Sequence, residues 1–73
     1  MKLSCSEYLV DENHSIMIVT RNGSYDCYVM EHDDNGETPY FFMFGLPITQ
    51  QSFQDAVDEA VASAEDYYYL FEV

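Results

Sequence analysis

The feature that most constrains the fold of this chain of 73 residues is a helical pattern close to its C-terminus. Between Ser52 and Phe71, apolar residues recur at the i, i+3, i+4, i+7 spacing that places side chains on one face of an α-helix. This face consists of Phe53, Ala56, Val57, Ala60, Val61, Ala64, Tyr67, Tyr68 and Phe71. The pattern predicts one long amphipathic helix, and the rest of the chain must supply the surface that covers its apolar face.

The opposite face of the predicted helix is acidic. Carboxylates that are three or four residues apart, or about two turns apart, line up as one stripe on a helix. No lysine or arginine interrupts them here. With a rise of about 1.5 Å per residue, the stripe is sparser than the phosphate charges of B-DNA, which come every ~1.7 Å of axis. Its members are Asp55, Asp58, Glu59, Glu65 and Asp66.

A second group of carboxylates lies in the N-terminal half of the chain and can supply a further acidic row. Asp11 and Glu12 fall in a predicted turn. The candidates for partner binding are the five carboxylates of the helix stripe together with two residues of the predicted third strand and three of the turn after it: Asp26, Glu31, Asp33, Asp34 and Glu37.

The net charge of the chain sets the functional expectation. Fourteen Asp and Glu against two Lys and Arg give a formal charge of -12, whereas a small soluble domain usually carries a magnitude of about 2 to 8. Attraction to a basic partner is the simplest reason for such an excess. Direct binding to nucleic acid or to an anionic membrane is not expected, because both depend on Lys and Arg.

The composition predicts a single globular domain spanning residues 1–73, since 48% of the residues are apolar and only three are glycine. Four segments are typical of β-strands in their apolar, β-branched or aromatic content. Asn22-Gly23 joins the second and third, and this pair is the strongest short-range signal of a type I′ hairpin. The predicted strands are Leu3 to Val10, Ser15 to Arg21, Ser24 to His32, and Tyr40 to Phe44.

Both ends of the predicted helix leave alternatives open. Thr49 as N-cap would pair Ile48 with Phe53 as a hydrophobic staple, whereas Ser52 as N-cap would form a capping box with Asp55. At the other end, 67–73 has a strand-like composition, but no turn residue separates it from the helix, which is therefore continued to about Phe71. The order ββββα predicts an α+β fold, a four-stranded antiparallel meander with one long C-terminal helix packed on one face.

Residues that could support catalysis or bind metal give weak signals. Cys5, His14, Cys27 and His32 match no zinc spacing, and both cysteines are predicted to be reduced thiols on strands. Cys27 and His32 point to opposite faces of one strand. The acidic turn around Gly36 resembles a calcium loop, but an apolar residue occupies the position of the bidentate glutamate. We expect no enzyme activity, no metal and no cofactor.

The N-terminal residues show no apolar segment of a secretion signal, and no run reaches transmembrane length. A cytoplasmic location is expected, in the host cell if a phage encodes the chain. The second strand, Ser15 to Arg21, is apolar on both faces. It could be central in the sheet or meet another subunit, which leaves room for a homodimer.

In its overall character the chain resembles the small acidic DNA-mimic inhibitors of the anti-CRISPR and anti-restriction kind, made by phages and mobile elements. The shared properties are a compact single domain, carboxylates in rows and tyrosines among them, and no common motif is involved. The resemblance implies a non-enzymatic inhibitor that occupies the basic nucleic-acid groove of a host nuclease or CRISPR complex. An acidic immunity protein, antitoxin or adaptor that binds a basic protein is the alternative.

Tyrosines are candidates for the anchoring contacts in either case, because a few desolvated side chains supply most of the affinity of an interface. The same aromatic rings are also needed for the core of so small a domain. The candidates are Tyr25, Tyr28, Tyr67, Tyr68 and Tyr69.

Overall fold

A computed structural model describes residues 4–72 and shows the predicted ββββα arrangement. The sheet is an antiparallel meander in the order β1-β2-β3-β4. Its strands are β1 (Ser4–Leu9), β2 (His14–Arg21), β3 (Ser24–Glu31) and β4 (Tyr40–Pro47). The predicted strand start at Leu3 and the last residue, Val73, lie outside the described residues.

The β2–β3 hairpin has the predicted turn. Asn22 and Gly23 both have positive φ, 47° and 80°, as a type I′ turn requires. Arg21 faces Ser24 across the turn, and this register fixes which side chains of the two strands share a face. β2 is a central strand, paired with β1 on one side and with β3 on the other.

β4 is longer than predicted because it continues through Gly45 and Leu46 and ends at Pro47. A proline is tolerated on an edge strand, where its missing N–H leaves no ladder bond unmade. Gly45 faces Asp26 across the ladder, and a Cβ here would lie 3.0 Å from Ser24 Oγ. The glycine therefore permits a close approach to β3. A bulge between Cys27 and Tyr28 on the β3 side leaves Met43 of β4 as the extra residue.

The C-terminal helix begins at the second of the two predicted sites. Ser52 is the N-cap, and its Oγ accepts a hydrogen bond from the Asp55 N–H at 3.2 Å. Thr49 instead lies in a short 3-10 turn, Ile48–Gln50. The α-helix, α1, spans Phe53–Ser63 and continues as a 3-10 helix over Ala64–Phe71. The segment from residue 67 to Phe71 is thus helical and is not a fifth strand.

The core lies between the helix and one face of the sheet. Ala56, Ala60 and Ala64 have no exposed surface, and their small side chains bring the helix close to the strands. Val61 is an exception to the predicted apolar face, since it is 37% exposed. The sheet residues of the core cluster are Ile16, Ile18, Tyr25, Cys27, Val29 and Met43.

Candidate functional site

The helix presents its carboxylates to solvent on the side away from the sheet. We call these residues the acidic helix row, and all are exposed: Asp55, Asp58, Glu59, Glu65 and Asp66. A 3-10 helix turns by ~120° per residue against ~100° for an α-helix, so the accumulated drift is about 40° at Glu65 and about 60° at Asp66, and both side chains stay exposed. The row therefore persists into the 3-10 segment.

The acidic turns meet at one end of the sheet. In an antiparallel meander, the β1–β2 and β3–β4 connections lie at the same end, and His32 N donates to the Asn13 carbonyl at 2.6 Å to join them. We call the exposed carboxylates of these two connections the acidic edge; they are Asp11, Glu12, Asp33, Asp34 and Glu37.

The acidic helix row leads to the acidic edge. The helical region starts beside the β2–β3 turn, where Ile48 N donates to the Gly23 carbonyl at 3.0 Å. At the far end of the helix, the Tyr68 hydroxyl donates to Asp11 Oδ2 at 3.1 Å. The charges of Asp11 on the edge and Glu65 on the row both act on Tyr68, so the row and the edge meet at this side chain. We call the two groups together the acidic surface, and it includes eight of the ten residues predicted to bind a partner, all except Asp26 and Glu31.

The structure does not bring Asp26 to this surface. Asp26 is half-buried on the sheet face away from the helix, where Arg21 Nε lies 3.4 Å from its Oδ2 and the Ser24 hydroxyl donates to its Oδ1. Glu31 is half-buried at the end of β3, with Oε2 3.7 Å from His14 Nε2. Asp26 has a structural partner, while Glu31 borders the acidic edge from the helix side.

His14 also lies at this end of the sheet, although the sequence did not indicate it as a partner-binding residue. Its Nδ1 lies 3.0 Å from Asp11 Oδ1, and its ring stacks on Tyr68 at a centroid distance of 3.9 Å. The feature of the sequence that could have indicated this contact is Asp11, three residues before His14 in a predicted turn. An aspartate at such a position accepts hydrogen bonds from backbone N–H groups. Asp11 Oδ1 accepts such bonds from Asn13 and His14 at 2.8 and 2.9 Å.

These contacts shift the pKa values of Asp11 and Tyr68. The backbone hydrogen bond from Asn13 and the side-chain bond with His14 lower the pKa of Asp11 below its ordinary 3.8. Burial and the hydrogen bond to Asp11 raise the pKa of Tyr68 to about 12. The contact between Asp11 and Tyr68 is therefore most favourable when the Asp11 carboxylate is ionised and the Tyr68 phenol is neutral.

The lowered pKa of Asp11 gives a pH-dependent stability. A carboxylate whose folded pKa is depressed stabilises the fold above its unfolded pKa, and this contribution is lost as the pH falls through the folded value. We expect the stability that wild type gains over Asp11→Asn from this carboxylate to be present above pH 3.8 and to shrink as the pH falls below that value. Urea denaturation of both proteins over this pH range measures the difference, and a difference that grows on acidification would contradict the assignment.

Ser15 and His32 form a hydroxyl–imidazole pair that does not have the geometry of a hydrolase site. Ser15 Oγ lies 2.8 Å from His32 Nε2 and donates to Glu7 Oε1 at 3.0 Å. The same histidine nitrogen also faces Glu7, at 3.4 Å, whereas a catalytic triad places the acid on the other nitrogen. Ser15 has no exposed surface. The network ties β1, β2 and the end of β3 together.

The two cysteines are free thiols on β1 and β3. Burial raises the pKa of the Cys27 thiol to about 11, so this side chain behaves as a small apolar core residue. In the part of the chain from residue 4 to residue 72, no group of three His, Cys, Asp or Glu side chains is arranged to hold a metal ion. The turn at Gly36 is closed by its own backbone, since Gly36 N donates to the Asp33 carbonyl at 3.1 Å.

Among residues 4–72, no helix has both the length and the apolar character needed to cross a membrane. Comparison with known protein families, with curated proteins and with solved structures finds no match to this chain.

Proposed function

We propose that this protein is a non-enzymatic inhibitor whose acidic surface occupies the basic nucleic-acid groove of a defence nuclease or CRISPR complex. The observation that carries the proposal is the meeting of the acidic helix row with the acidic edge at Tyr68. All carboxylates of both groups are exposed, so their charge faces a partner and not the protein's own core.

Among the described residues, no lysine or arginine lies on the acidic surface to neutralise it. Arg21 is the one lysine or arginine between residues 4 and 72. It lies beside the β2–β3 turn, at the end of the sheet opposite the acidic edge, and pairs with Asp26. The field of the acidic surface therefore extends into solvent with little internal compensation.

The spacing of the row allows its charges to act together. Asp55 and Asp58 are separated by ~4.5 Å along the axis and Asp55 and Glu59 by ~6 Å, both shorter than the Debye length of about 8 Å at physiological ionic strength. A basic groove that binds such a row exchanges its counterions for fixed carboxylates, as it does with a phosphate backbone. The protein then competes with nucleic acid while offering no phosphodiester bond to cleave.

Tyr69 is the tyrosine best placed to add a desolvated contact to this surface. It is 61% exposed and follows Asp66 by one turn of the 3-10 helix. The other candidate tyrosines of the helix, Tyr67 and Tyr68, pack against the core, and Tyr25 is buried.

The proposal is tested by reversing the charge of the acidic helix row. We expect the triple variant Asp55→Lys, Asp58→Lys, Glu59→Lys to keep its far-UV circular dichroism, because all three side chains are exposed. Its ability to displace fluorescent duplex DNA from bacterial CRISPR effector complexes and restriction nucleases should fall at least tenfold, a change of about 1.4 kcal/mol. Fluorescence anisotropy at low and high salt measures the displacement.

A single-site pair separates position from net charge. Asp58→Asn and Cys5→Lys each raise the net charge by one, but Cys5 is exposed on the sheet face away from the helix, so only the first should weaken displacement. Wild type should lose affinity as salt rises. The proposal fails if wild type displaces DNA from none of these complexes or if the triple variant displaces it as well as wild type.

One observation favours the alternative, an acidic immunity protein, antitoxin or adaptor that binds a basic protein. The sheet face away from the helix exposes apolar side chains, among them Phe42 at 52%, and apolar anchors rather than charge rows supply the affinity of stable subunit contacts. A partner held in this way would stay bound at high salt and would not compete with nucleic acid.

A further inference from the structure

One face of the sheet is left uncovered by the helix. The strand register places rows of side chains on this outer face, including Leu9-Ser15-Met30-Tyr40 and Glu7-Met17-Tyr28-Phe42. Leu9 and Tyr40 are 72% and 58% exposed although they are large and apolar. We call the exposed and half-exposed apolar residues of this face the outer patch: Leu9, Met17, Tyr28, Tyr40 and Phe42.

The aromatic part of the outer patch is held in place by edge-to-face packing. The Tyr28 ring lies 5.7 Å from Tyr40 and 5.5 Å from Phe42, with interplanar angles of 80° and 73°. Such pairs favour fixed ring orientations. The patch is therefore a preorganised apolar surface, and ordering it on binding costs little side-chain entropy.

The charge distribution indicates what can approach this face. Of the fourteen carboxylates of the chain, the register places two on the outer face, Glu7 and Asp26, and Asp26 is paired with Arg21. The others lie on the helix or just after it, in the two acidic connections, or at the end of β3. A second copy of a chain with a charge of -12 meets the least repulsion when the two outer faces come together.

The dimensions of the face suit a small symmetric dimer. Three strands of eight residues and one of six, at ~3.3 Å per residue and ~4.8 Å between strands, give a face of about 475 Å². Two such faces bury about 950 Å² in total, the size of a weak, concentration-dependent interface. Sheets pack face to face at ~10 Å with interdigitating side chains.

We infer that two copies of this chain associate through their outer faces, with a two-fold axis through the outer patch and both helices on the outside. The two acidic helix rows then face in opposite directions, and both remain free. The association is independent of the proposed function, and its salt dependence has the opposite sign. Salt screens the repulsion between the two copies and strengthens the dimer, whereas it weakens binding to a basic groove.

Sedimentation equilibrium and light scattering at low and high salt test the inference with a matched pair of variants. Tyr40→Glu and Tyr69→Glu introduce the same charge at side chains of nearly equal exposure, 58% and 61%, but Tyr69 lies on the helix. We expect wild type and Tyr69→Glu to show twice the chain mass of 8.5 kDa, more completely at high salt. Tyr40→Glu should raise the dimer dissociation constant at least tenfold.

Leu9→Glu, on the opposite edge of the sheet, gives a second test of the same face and should also weaken the dimer. Circular dichroism of each variant separates lost association from lost fold. The inference is overturned if wild type has the mass of one chain at the highest concentration and salt, which would leave the outer face to a different protein. It is equally overturned if Tyr69→Glu weakens the dimer as much as Tyr40→Glu does.

Discussion

Replacing Ala60 with aspartate is expected to unfold the domain at room temperature. Ala60 has no exposed surface and lies in the middle of the helix face that packs on the sheet. A carboxylate there is buried without a cationic partner, which costs several kcal/mol even after relaxation. A domain of 73 residues has about 4 to 11 kcal/mol of total stability at about 0.05 to 0.15 kcal/mol per residue, so the cost is comparable to the whole.

Ala62→Asp is the matched control for this substitution. Ala62 lies two residues further along the same helix and is exposed, so the variant adds the same charge with a cost of less than about 1 kcal/mol in helix propensity. Far-UV circular dichroism and urea denaturation distinguish the two. A folded Ala60→Asp variant with the stability of Ala62→Asp would show that the helix does not pack on the sheet through this face.

Ile18→Ala has the second largest expected effect, a loss of about 2 to 5 kcal/mol of unfolding free energy. Ile18 has no exposed surface and pairs with Cys27 across the β2–β3 ladder, directly beneath the helix. Removal of its side chain beyond Cβ leaves a cavity that neighbouring strands cannot close without breaking their register. Urea denaturation with a fixed m-value measures the loss.

Val61→Ala serves as the control for lost apolar volume. Val61 is partly exposed on the helix, and alanine has the higher helix propensity, so we expect a stability within about 0.5 kcal/mol of wild type. Equal losses for Ile18→Ala and Val61→Ala would contradict the assignment of the core to the helix side of the sheet.

Much of the fold was predictable because local chemistry determines it. Asn22-Gly23 accepts the positive φ values of a tight hairpin, and the spacing of Ala56, Ala60 and Ala64 specifies a buried helical face. The strand boundary that differs most from the prediction, the end of β4, depends on tertiary contacts. β4 continues through Gly45 because the glycine packs against Ser24, and no local signal in the sequence reports this neighbour.

The acidic surface was predictable only in part. Exposure of the helix carboxylates follows from their position opposite the alanines. The position of Asp26 away from the acidic surface, by contrast, depends on its pairing with Arg21 across a turn. The contact between Tyr68 and Asp11 joins residues 57 positions apart in the sequence. Contacts of this kind arise from packing of the helix on the sheet, and a period or a spacing in the sequence does not encode them.

The β2–β3 hairpin also determines how the chain responds to proteases. Trypsin cleaves after lysine and arginine, and Arg21 is the only such residue between residues 4 and 72. Its backbone is held in the ladder opposite Ser24, one residue before the tight turn. Cleavage at Arg21 therefore requires the hairpin to open. The rate at which a fragment beginning at Asn22 appears reports how often that opening occurs.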